Sequence, residues 1–168
     1  GKKYEEMNLI ICHIGGGISV TAHRRGKMID SNDIAQGDGP MAPTRCGALP
    51  VKDVVKMCFS GKFTERQMYD KITKTGGLVD HLGTSDARDV CKMIDEGSQY
   101  AKLIYDAMIY QIAKQAGAMA AALEGEVDGI ILTGGISYDK YVDEKLTRKL
   151  KFIAPGTVMA GGVQIGEH

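Results

Sequence analysis

The chain carries no surplus of charge: 21 basic residues face 21 acidic ones among its 168. With a sequence pI near 7.1 there is no basic field to hold a polyphosphate backbone, which excludes sequence-blind nucleic-acid binding. It also lacks any apolar run approaching the ~20 residues a membrane helix needs. The opening Gly1-Lys2-Lys3-Tyr4-Glu5-Glu6 leads into no apolar region long enough for a signal peptide. The expectation is a soluble, cytoplasmic protein with no membrane partner. Cysteines are few and unpaired in pattern: Cys12, Cys46, Cys58 and Cys91 form no Cys-x-x-Cys motif and have no histidine at metal-ligand spacing. They read as reduced thiols rather than a disulfide framework. Tryptophan is absent, prolines number four, and neither repeats nor low-complexity tracts occur.

What is present suits one globular domain over residues 1–168, with 43% hydrophobic and 25% charged residues. A chain of this length buries roughly 70% of its unfolded surface, enough for a core without disulfides or metals. Glycine is the outlier, at 22 residues, about twice ordinary usage.

Strands come first along the chain. Asn8 to His13 is apolar and β-branched, Ile18 to Ala22 alternates, and Met28 to Asp30 follows a turn at residues 24–27, which makes an antiparallel meander. Helices are expected from Val51 to Phe59, from Thr64 with Gln67 completing a capping box, and after Thr84-Ser85. From Ser98 to Leu123 the residues Leu103, Ile104, Ala107, Met108, Ile112, Ala116, Met119, Ala120 and Leu123 recur at three- and four-residue steps, the pattern of a long buried helix. Gly117 inside it suggests a close neighbour. Asp128 to Thr133 reads as a strand, Tyr138 to Leu150 as a helix and Lys151 to Ala154 as a strand, which implies a parallel pair. The class is α/β, a mixed sheet flanked by helices.

Three glycines, Gly15, Gly16 and Gly17, end the first strand. Their backbone N–H groups can approach an anion unobstructed, and a phosphate is the natural guest, although a plain glycine hairpin has the same sequence. The turn is neither a dinucleotide fingerprint nor a Walker A motif. His13 precedes it, either a phosphate donor or an ordinary strand-end histidine. The segment Gly37 to Gly47 is too long and too proline-stiffened for a simple connector and carries Arg45, suited to bidentate grip on carboxylate or phosphate or else merely solvated. Thr133-Gly134-Gly135 sits between strand and helix, where open α/β sheets place ligands. Ser85 reads as a helix cap with Asp86 favourable at the positive helix end. Lys145 to Lys151 reads as a solvated helix face, and His23, His81 and His168 share no metal spacing.

Taken in order, strand–His-x-Gly-Gly-Gly–strand, arginine loop, Gly76-Gly-Leu-Val-Asp-His-Leu-Gly-Thr-Ser-Asp-Ala-Arg88 and strand–Thr-Gly-Gly-Ile–helix resemble the C-terminal half of the butyrate kinase branch of the acetate kinase family. Acetate kinases themselves have asparagine at the place of Gly16. The resemblance implies the ribonuclease-H-like fold of actin, Hsp70 and sugar kinases, and transfer of the γ-phosphoryl group of ATP to a short-chain carboxylate, butyrate or a branched analogue. It implies that His13 hydrogen-bonds the moving phosphoryl group and that Arg45 holds carboxylate and phosphoryl together. Gly15, Gly16 and Gly17 would line the phosphate loop, while Asp86, Ala87, Arg88, Gly134, Gly135 and Ile136 would bind the nucleotide. ATP/ADP and Mg2+ are the implied cofactors, with no metal ligand evident here, and a homodimer or higher homo-oligomer is implied. Alternatives are an acetate or propionate kinase and a non-catalytic module of the same fold. The features of the family's N-terminal half have no counterpart before Asn8, and the residues after Pro155 depart from its pattern.

Overall fold

Strands β1 (Asn8–Ile14) and β2 (Ile18–Arg24) pair antiparallel from Asn8 opposite Arg24 to Ile14 opposite Ile18, so the three glycines make up the whole connection. The computed structural model describes residues 1–154 and, in backbone only, residues 158–160. The turn from β2 to β3 (Lys27–Ser31) is the two-residue Arg25-Gly26, both at positive φ (46° and 75°), as a tight twisted hairpin requires. Beyond β1 lie β4 (Gly129–Thr133) and β5 (Val158–Ala160), both parallel, so the mixed sheet runs β3-β2-β1-β4-β5.

One face of this sheet is apolar because alternation puts Ile10, Cys12, Ile14, Ile18, Val20, Ala22, Ile130 and Leu132 on the same side, all buried. The long helix spans 24 residues, Gln99–Ala122, and lies over that face; Ser98 caps it by accepting the Ala101 N–H at 3.2 Å. It contributes Ile104, Tyr105, Met108, Ile109 and Ile112 to the core. Each such side chain fully buried contributes roughly 1.5–3 kcal/mol. The helix after β4 (Lys140–Leu150) packs beside the long one with Val142, Leu146 and Leu150. Numbered in chain order, the helices among the described residues are α1 (Val51–Cys58), α2 (Glu65–Thr73), α3 (Gly77–Leu82), α4 (Ala87–Asp95), α5 (Gln99–Ala122) and α6 (Lys140–Leu150). The capping box of α2 forms as expected: the Thr64 N–H donates to Gln67 Oε1 and the Gln67 N–H to Thr64 Oγ1.

Four expectations are corrected. Leu103 is 63% exposed, and Ala101, Tyr105 and Ile109 are buried instead; at about 100° per residue Leu103 falls off that buried stripe. Gly117 has no close neighbour, since a Cβ there would meet nothing within 4 Å. Residues 151–154 are not a strand; they turn off the end of α6, the Ile153 N–H bonding Leu150 O at 3.0 Å, and the strand that follows α6 and pairs parallel with β4 is Val158–Ala160. Finally, Gly135–Tyr138 forms a 3-10 turn and α6 starts only after Asp139, whose side chain accepts the Tyr141 N–H. Of the expectation that the residues after Pro155 depart from the family pattern, all but the β5 backbone lies outside the described residues.

Candidate functional site

The glycine turn and the Arg45 loop are joined by backbone. Gly15 N–H donates to Gly17 O at 3.1 Å, and both the N–H and the hydroxyl of Thr44 donate to Gly16 O, at 3.2 and 3.0 Å. The N–H groups of Gly16 and Gly17 donate to nothing among the described residues. The loop's other side is anchored by Ala42 N–H to Arg45 O, Gly76 N–H to Thr44 O, and Leu78 N–H to Ala42 O. That docking needs glycine at 77: its φ is +60° and a Cβ would lie 1.7 Å from Ala42 O. The buried Asn32 fixes the loop's start, accepting the Val20 N–H and donating to Ile18 O and Asp38 O.

Two side chains flank the turn. The His13 ring rests against Gly15, its Nε2 3.3 Å from the place of a Cβ on that glycine. Arg45 lies against Gly17, its Nη1 2.6 Å from the place of a Cβ there, and its buried Nε has no hydrogen-bond partner. Neither side chain forms an ion pair or hydrogen bond among the described residues. An unspent cation against a turn that holds two unbonded N–H groups is an anion-binding arrangement.

From the turn a cleft of about 900 Å³ opens, walled by Gly15, Gly16, Pro43, the α4 start at Ser85–Arg88, and the 3-10 turn residues Gly135 and Ile136. Seven of the expected site residues therefore meet in one cavity: Gly15, Gly16, Asp86, Ala87, Arg88, Gly135 and Ile136. Gly17, Gly134, His13 and Arg45 are not among its lining residues; His13 and Arg45 stand beside the turn from which it opens. Gly134, at φ +88°, lets the chain pass Ile14, where a Cβ would stand 2.5 Å from the carbonyl oxygen. The α4 cap is Asp86 and not Ser85: Asp86 Oδ1 accepts the Arg88 N–H at 2.9 Å, because Asp86 itself holds the extended backbone a cap requires. Arg88 closes a fork on the same carboxylate (Nη2 to Oδ2 2.6 Å), and its hydrogen bonds hold the Asp86 carboxyl down at about 2.

The sequence reading missed three parts of this site. Thr44 carries the link just described; it stood next to Arg45 with no motif of its own. Cys91 and Asp139 form part of the wall. Asp139 accepts hydrogen bonds from Tyr105 Oη (2.5 Å) and Cys91 Sγ (3.2 Å), tying α4, α5 and the start of α6 together. Burial, and then that carboxylate, push the Cys91 thiol up to about 12 and raise Tyr105 as well, so both stay protonated donors. Among the described residues no three His, Cys, Asp or Glu side chains are grouped to hold a metal ion. No described helix is long and apolar enough to cross a membrane.

Residues 1–157 match the Acetokinase family. Over 161 residues the chain is 47% identical to a probable butyrate kinase of Bacteroides thetaiotaomicron, in an alignment covering 96% of this chain and 46% of that protein. It is 52% identical over 160 residues to probable butyrate kinase 2 of Caldanaerobacter subterraneus subsp. tengcongensis, covering 95% of this chain and 45% of that one. The chain thus spans about half the length of these relatives. The crystal structure of Porphyromonas gingivalis acetate kinase superposes with a TM-score of 0.82 at 29% identity, over 90% of this chain and 38% of that one.

Proposed function

The chain belongs to the acetokinase family and has its actin-like fold, and we propose that it is the nucleotide-binding half of a butyrate kinase. The whole enzyme moves the γ-phosphoryl group of ATP onto a short-chain carboxylate, giving an acyl phosphate and ADP. Residues 1–168 act in this reading as one nucleotide-binding domain of a two-domain kinase, working in the cytoplasm as a homodimer or larger homo-oligomer. The observation that carries the reading is the glycine turn with two unbonded N–H groups, flanked by His13 and an unpartnered Arg45 at one end of a nucleotide-sized cleft.

The chemistry needs alignment and charge stabilisation rather than covalent work. A carboxylate oxygen attacks the γ-phosphorus in line as the bond to the ADP oxygen breaks, and no proton moves on the acceptor. Negative charge on the transferring group meets the Gly16 and Gly17 N–H groups, the His13 ring and the Arg45 guanidinium. Arg45 also suits the acceptor carboxylate, whose own charge otherwise repels the phosphoryl group. The nucleotide lies along Gly135 and Ile136 toward α4, where the exposed plane of Arg88, its fork already taken by Asp86, suits stacking on a base. Magnesium arriving with the nucleotide would neutralise phosphate charge.

Butyrate is favoured over acetate because identity to the two probable butyrate kinases is 47% and 52%, against 29% to the acetate kinase. The test is an acyl phosphate assay, trapping product with hydroxylamine, on the full-length protein with ATP and butyrate, isobutyrate, propionate or acetate. Turnover highest on a four-carbon acid supports the reading. Preference for acetate defeats the choice of acceptor, and no product from any acid defeats the kinase reading.

A further inference from the structure

The Gly16–Gly17 peptide has glycine on both sides, so little in its own conformational energy prevents it from rotating by half a turn. Its orientation matters. In a trans peptide the C=O and N–H point in opposite directions, and no peptide bond among the described residues is cis. One orientation presents the Gly17 N–H to an anion; the other presents the Gly16 carbonyl, whose partial negative charge repels one. Thr44 occupies that carbonyl twice, through its N–H at 3.2 Å and its hydroxyl at 3.0 Å. Thr44 is itself held from behind, its own carbonyl accepting the Gly76 N–H at 3.1 Å. It is the residue before Arg45, whose guanidinium lies against Gly17.

We propose that Thr44 is a positioning residue that locks the Gly16–Gly17 peptide with its N–H toward the transferring phosphoryl group and keeps the turn in register with Arg45. The role rests on the kinase reading above and adds to it a residue outside the set that meets the reactants. Thr44 touches neither substrate; it acts through Gly16. Because the lock bears on the γ-phosphoryl position, it bears on turnover and not on ADP, which lacks that group.

The experiment compares Thr44→Val and Thr44→Ser with wild type in the full-length enzyme. Valine keeps the shape and the backbone N–H but removes the hydroxyl donor, whereas serine retains it. Thr44→Val should lower kcat for acyl phosphate formation roughly five- to tenfold, the size expected for one hydrogen bond. Its ADP affinity by calorimetry should stay within twofold of wild type, and Thr44→Ser should stay within twofold in both. The proposal is overturned if Thr44→Val turns over like wild type, if its ADP affinity falls in step with kcat, or if serine fails as valine does. A wild-type enzyme that phosphorylates no short-chain acid removes the kinase reading first, and this proposal with it.

Discussion

Arg45 and Gly17 occupy each other's space: a Cβ on Gly17 would lie 2.6 Å from Arg45 Nη1. The guanidinium has its position because residue 17 has no side chain, and its buried Nε gains no hydrogen bond there. A buried donor without an acceptor is a stability cost of about 1–3 kcal/mol.

Arg45→Ala should therefore separate stability from activity. Turnover should fall roughly 10²–10³-fold, as when a transition-state donor is lost. The thermal midpoint should hold or rise, since no native hydrogen bond of that side chain is broken. Parallel kinetics and thermal melts check this; a clear drop in midpoint with unchanged turnover would make Arg45 structural.

Gly134 and Gly135 should behave oppositely although adjacent. Gly134→Ala puts a Cβ 2.5 Å from Ile14 O at a φ of +88°, and should cost at least about 2 kcal/mol in chemical denaturation. A Cβ at Gly135 meets nothing within 4 Å, so Gly135→Val should fold with near wild-type stability. Equal losses in the two variants would contradict the backbone described for this turn.

Gly117→Ala should stabilise. The position lies inside α5 with open space around its Cβ, so the helix-propensity gain of up to about 1 kcal/mol is unopposed. That corresponds to roughly 2–4 °C in thermal midpoint for a protein of this size. A fall on substitution would mean that a partner packs on this face of α5.

Acid should loosen α6 through Asp106. Burial raises its carboxyl, but hydrogen bonds from Lys102, Tyr141 and Lys145 outweigh it and bring it to about 2, below the ordinary 3.8. A depressed carboxyl contributes stability that is present above its unfolded value and is lost as pH falls from 3.8 toward 2. Asp106→Asn should lower stability at neutral pH and show a shallower decline across that window than wild type. Urea midpoints from pH 5 to 2 measure it, and parallel curves would remove Asp106 from the acid response.

Much of this was legible where a residue type carries a local rule. The β1–β2 hairpin follows from apolar runs around three glycines, the α2 start from Thr64 and Gln67, and α5 from its period. Legibility stopped where tertiary contact decides. Leu103 and Ile104 are equally apolar neighbours, and only the sheet's position buries one and exposes the other. Short α3 starts at Gly77 with no side-chain cap, so nothing local announces it; Gly77 is there because Ala42 O comes so close. Residues 151–154 have strand-like composition but leave a helix end. In the site, Gly15, Gly16 and Arg45 stood out as residues, whereas Thr44 and Asp139 matter through hydrogen bonds to partners 28 and 34 positions away.

The central claim is that the cleft between the glycine turn, the start of α4 and Gly135 holds an adenine nucleotide. Calorimetric titration of ADP with magnesium into the full-length protein and into its Gly135→Val variant tests it most directly. Saturable binding by wild type and its loss in an equally well-folded variant is the result expected, because the valine side chain projects into the cleft. Unchanged affinity in the variant would place the nucleotide elsewhere, and absence of binding by the wild-type protein would contradict the account outright.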